Sequence, residues 1–138
     1  MRQTIRQVTA VVMQVEDEVG VLNRALCELR SAGVSMVAVA SLRRHGTALL
    51  AVPEDIEAVR KLASRHGVSL QMRPVFLIEG EDRVGALCEI TAQIAQAGIS
   101  IEDVAALSAG GNYAALLTFA DADLEAASEA LGLDTEDE

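Results

Sequence analysis

The chain has 138 residues, of which 51% are apolar and 2% aromatic, with a formal net charge of −10. That length allows one or two small domains, and the apolar fraction excludes wholesale disorder. Charge is uneven: residues 1–72 carry 9 Lys+Arg against 7 Asp+Glu, and residues 73–138 carry 2 against 14, so the acidic second half argues against sequence-independent nucleic-acid binding, which needs phosphate-neutralising cations.

Taken from its start, the chain opens with Met1-Arg2-Gln3-Thr4-Ile5-Arg6 and a short apolar stretch that Glu16, Asp17 and Glu18 cut off. This is too short for a signal-peptide core, and no run approaches the ~20 apolar residues of a membrane span. A soluble, cytoplasmic protein without a membrane partner is the expectation. Residues 7–15 are rich in β-branched side chains and predict a strand. Residues 19–32 predict a helix, with Leu22, Ala25, Leu26, Leu29 and Ala32 at helical spacing and Gly33 as its stop. Strands at 34–42 and 47–52 flank a hairpin tip, Arg43-Arg44-His45-Gly46. Pro53-Glu54-Asp55 then begins a second helix, with Ile56, Val59, Leu62 and Ala63 as its buried stripe, and a fourth strand is expected at 68–72.

The second half repeats this order: a strand at 74–79, a helix carrying Leu87, Ile90, Ile94 and Ala97 up to Gly98, and strands at 99–107 and 113–120 around the turn Ala109-Gly110-Gly111-Asn112. Asp121 is the expected cap of the last helix. Little chain remains for a fourth strand, so this unit is expected to end short or to borrow pairing from elsewhere. Residues 134–138 read as a disordered acidic tail. Cys27 and Cys88 do not make a zinc ligand set and are expected as free, mostly buried thiols. Neither a metal nor a cofactor is expected.

The repeat is more than a matching order of elements. Glu16-Asp17-Glu18-Val19-Gly20-Val21-Leu22 reappears 65 positions later as Glu81-Asp82-Arg83-Val84-Gly85-Ala86-Leu87. At the same offset Gly33, Ser35, Val39 and Gly46 match Gly98, Ser100, Val104 and Gly111. The expected architecture is therefore α+β: two ferredoxin-like βαββαβ units with antiparallel sheets, packed on each other, divided as 1–72 and 73–138. Units of this size bury only ~60% of their unfolded surface and are marginal alone. Their open sheet edges invite pairing, and a homodimer is expected.

Two units of this kind, each with acidic-x-x-Gly-x-Leu after the first strand and Ala-Gly-[Val/Ile]-Ser-[Met/Ile] into the second, resemble tandem ACT domains over nearly the whole chain. The family's loop places proline before the glycine, where this chain has Val19 and Val84. The resemblance implies a protein that binds a free amino acid between paired ACT units and regulates a metabolic enzyme or regulator allosterically, without a catalytic domain.

Chemistry points the same way. An amino acid is a zwitterion, and first-turn N–H groups with the helix dipole behind them suit its carboxylate. Gly20 and Gly85 lack a Cβ and let a ligand approach that backbone. Asp17 and Asp82 can accept from the ammonium, or serve as helix N-caps. Val19, Val21 and Leu22, with Val84, Ala86 and Leu87, complete the two candidate loops. Ser35, Ser100 and Ile101 match the segment that, in ACT pairs, faces the ligand across the interface. A ligand-free assembly or protein-interaction module with vestigial sites is the alternative. A small hydrolase on the same scaffold is disfavoured, because it needs a cationic loop where this chain has Glu-Asp-Glu and Glu-Asp-Arg.

Overall fold

The computed structural model describes residues 3–15, 19–42, 47–67 and 69–133; Asp17, the tip 43–46 and the acidic tail lie outside them. Its elements are β1 (Gln3–Val15), α1 (Val21–Ser31), β2 (Met36–Leu42), β3 (Thr47–Pro53), α2 (Ile56–Arg65), β4 (Gln71–Glu81), α3 (Ala86–Gln96), β5 (Asp103–Ala109), β6 (Asn112–Thr118) and α4 (Leu124–Ala130), with a 3-10 turn at Asp121–Asp123. The fold is α+β, in two ferredoxin-like units with antiparallel sheets.

One compact unit is Thr9–Pro74. Its strand order is β2-β3-β1, continued by the start of β4. The register pairs Val11 with Ala51 across β1 and β3, and Val39 with Ala51 across β2 and β3. Val11, Leu29, Val34, Ala51, Val59 and Leu62 form its buried core under α1 and α2. Asp55 caps α2, its Oδ1 accepting from the Glu57 and Ala58 N–H groups at 3.1 and 3.2 Å. Caps of this kind contribute about 1 kcal/mol.

The other unit joins Met1–Val8 to Val75–Glu138. Residues 1–8, expected with the first unit, group here instead. Within this unit the order runs from the start of β1 through β4 and β6 to β5. The borrowed pairing expected for the second unit thus comes from the beginning of the chain. Ile5 packs on the unit's core, Arg6 lies 3.6 Å from Glu79, and the Tyr113 hydroxyl donates to Gln3 Oε1. The core under α3 and α4 holds Phe76 and Phe119 edge to face, with centroids 5.4 Å apart.

Three local expectations are corrected. The strands expected at 68–72 and 74–79 are one continuous β4, with Pro74 inside it. Cys88 is exposed and Cys27 half-buried, so neither thiol is a core residue. Asp121 does not cap α4; it begins the 3-10 turn, and α4 starts at Leu124 with no side-chain cap. The helix stops do behave as their glycines imply. Gly33 and Gly98 share φ 75°, and the following amides reach back, Val34 N–H to the Leu29 carbonyl and Ile99 N–H to that of Ile94.

Candidate functional site: the paired strand-to-helix loops

Each helix that follows a repeated loop begins on a left-handed glycine. Gly20 has φ 87° and ψ −1°, and Gly85 has φ 86° and ψ 2°. These are the N-cap residues, and neither helix has a side-chain cap hydrogen bond. Asp82 is therefore not the cap of α3. Its N–H donates to the Gly111 carbonyl at 2.8 Å, fixing the end of β4 to the β5–β6 hairpin, and its side chain is exposed. The left-handed cap favours glycine at both positions, because a Cβ there costs roughly 1–2 kcal/mol.

Val19 and Val84 are both 100% exposed at the loop apices. Val21 is half-buried and Leu22 exposed, whereas Ala86 is buried and Leu87 packs on the second unit's core together with Ile101. Ser35 and Ser100 are exposed and precede β2 and β5 rather than lying in them. They follow the far ends of α1 and α3, each 11 residues long, or about 16 Å at 1.5 Å per residue. A small ligand at a loop therefore cannot reach the serine of its own unit.

Two features of the loop region escaped the sequence reading. Arg83, just before the loop apex, holds Glu89 on the first turn of α3 in a two-pronged contact, Nη1 to Oε2 at 2.9 Å and Nη2 to Oε1 at 2.5 Å. Sequence carried a signal for it: at the 65-residue offset, Arg83 and Glu89 replace Glu18 and Arg24, a complementary exchange of sign. The fork ties the loop to the first turn of α3. Second, Tyr113 is buried beside this pair, and burial raises its phenol pKa. A shallow cleft of about 770 Å³ adjoins it, bounded by Gln3, Glu79, Glu81, Asn112 and Tyr113. The two glutamates supply acceptors suited to an ammonium group.

Hydrogen bonding from Arg83 holds the Glu89 carboxyl below the usual carboxylate range. A depressed folded-state pKa means the pair stabilises above the ordinary carboxylate pKa and stops doing so as pH falls through the lowered value. Both groups are solvent-accessible, so the contribution is small. In Arg83→Gln the Glu89 carboxyl should titrate at a higher pH, as followed by NMR of its side-chain carbon; an unchanged midpoint would mean the fork does not form in solution.

No protein-family model matches the chain, and no curated protein sequence matches it. Solved structures do. Protein BT0572 from Bacteroides thetaiotaomicron superposes with a TM-score of 0.79 at 14% identity, over 92% of this chain and 88% of that one. The aspartokinase alpha and beta subunits match with a TM-score of 0.65 at 18% identity, over 95% of each chain. The regulatory subunit of aspartate kinase from Thermus flavus matches at 0.59 and 16% identity, over 94% of each chain. At such identities the likeness establishes the fold, which is ACT-like.

Proposed function

We propose that this chain is a non-catalytic, cytoplasmic regulatory protein that binds a free amino acid at its strand-to-helix loops where ACT-like units pair. The observation carrying this reading is the duplicated left-handed cap, with φ and ψ at Gly20 and Gly85 agreeing to within a few degrees. A conformation costly for any other residue, kept at both loops, suits a backbone that a ligand must approach. The loop acids favour a zwitterion over a bare anion. The partner serine would come from a second copy in a homodimer, since a unit's own serine is a helix length away. The regulatory subunits among the structural neighbours support a metabolic enzyme or regulator as the downstream target.

A thermal-melt screen against the free amino acids tests the reading. Ligand at a hundredfold excess over its dissociation constant adds about 2.7 kcal/mol, which a melt registers. At least one amino acid should raise the melting temperature. Gly85→Ala, whose Cβ would meet no protein atom within 4 Å, should lower the ligand-induced shift measured against its own unliganded melt. If none of the amino acids moves the melt, the protein is an assembly module instead. That second reading draws on β5, whose Val104 and Leu107 are 55% and 72% exposed along a sheet edge.

A further inference from the structure

At several matched positions the second unit carries larger side chains than the first. At the 65-residue offset Phe76 and Ile90 of the second unit replace Val11 and Ala25 of the first, and Phe119 replaces Glu54. Phe76, Phe119 and Ile90 are all buried in the second core. In the unit Thr9–Pro74, a cavity of about 350 Å³ opens between α1, α2 and the end of β1, walled by Val21, Ala25, Leu29, Val59 and Leu62. Small-molecule sites have this character: a few hundred cubic ångströms, mostly apolar, with a few polar groups at the mouth.

The polar groups are Gln14, Arg24, Glu28 and His66. His66 Nε2 lies 3.2 Å from Glu28 Oε1, so the carboxylate of Glu28 already has a neighbour. The Arg24 guanidinium reaches back over the first turn of α1, where a Cβ on Gly20 would stand 3.6 Å from Nη1. A guanidinium carries five donors and stays charged at any ordinary pH, so it can serve a ligand carboxylate alongside another partner.

We propose that this cavity is a second binding site, taking a small carboxylate with a branched aliphatic or aromatic body. The body lies between α1 and α2, and the carboxylate meets Arg24 at the loop end of the cavity. This goes beyond the loop reading, because the site lies within one unit and needs no pairing of units. Only Val21 is shared with the candidate loops.

Methyl NMR of the full chain, titrated with 4-methylpentanoate and with phenylacetate up to ~10 mM, covers the range of weak small-ligand affinities. Saturable shifts are expected at Val21, Leu29, Val59 and Leu62. The uncharged amides of the same acids should bind about tenfold more weakly, with Arg24→Gln narrowing that gap. Ala25→Ile installs the residue that the second unit carries as Ile90 and should abolish binding by filling the cavity. Val59→Leu, after Leu124, does the same by a smaller step should Ala25→Ile fail to fold. The proposal is overturned if neither acid gives saturable shifts, if the filled variants bind as the parent does, or if the amides bind equally well. An amino-acid melt shift that Gly85→Ala weakens and Ala25→Ile leaves intact would keep the loop reading whatever happens here.

Discussion

Removal of residues 1–8 should destabilise the unit Val75–Glu138 by roughly 3 kcal/mol or more. The reason is local to that unit. Its first three strands, β4, β5 and β6, and both its helices are contiguous in sequence, but the strand flanking β4 is the start of β1. Removing it strips Ile5 from the core, where losing an aliphatic side chain costs about 2–5 kcal/mol when fully buried. It also removes the acceptor of the Tyr113 hydroxyl, leaving a buried donor without its partner, worth about 1–3 kcal/mol. Tyr113 is the only tyrosine and there is no tryptophan, so intrinsic fluorescence reports on this unit alone. Urea melts followed by that fluorescence should shift to lower denaturant. Superimposable curves for the shortened and full chains would show that the borrowed strand contributes nothing.

Phe119→Ala should cost about 4 kcal/mol, because the ring is fully buried and packs edge to face on Phe76. The repeat supplies an internal control. The matching position in the first unit is Glu54, an exposed residue whose amide donates to the Ser35 carbonyl at 2.9 Å. Glu54→Ala keeps that backbone bond and should change stability by no more than about 0.5 kcal/mol. Chemical denaturation of both variants measures the contrast. Equal effects would mean that the Phe119 ring contributes no more to its unit than an exposed side chain does to the other.

Much of this fold was legible because it was written twice. The 65-residue offset placed glycines in register, and the helix stops at Gly33 and Gly98 followed from what a left-handed residue does to a helix end. Strand continuity was not legible. Pro74 donates no hydrogen bond and reads as a break, yet β4 runs through it. The start of β1, residues 3–6, was missed because Gln3, Thr4 and Arg6 are polar, and their pairing lies some seventy residues away, beyond the reach of local periodicity. At the site, Gly20 and Gly85 stood out, but the cap role given to Asp82 did not hold, since the glycine itself occupies that position. The Arg83–Glu89 fork was visible only as a sign exchange between the copies, which a search for identical residues passes over. The apolar cavity is invisible to a pattern of types, because it depends on side-chain volumes such as that of Ala25 in its wall.

The division of β1 between the units sets an order of events. Residues 3–8 leave the ribosome about seventy residues before β4, the strand they flank, and more than a hundred before Tyr113, whose hydroxyl they accept. Closing a loop of that length carries an entropic cost that grows as the logarithm of the loop and slows folding. The unit Thr9–Pro74 can collapse as it emerges, while the opening residues wait, unpaired, for a sheet not yet made. Conditions that prolong that wait, such as slow translation of residues 75–118, should favour capture of this first segment by another chain's β4, and with it a strand-exchanged dimer.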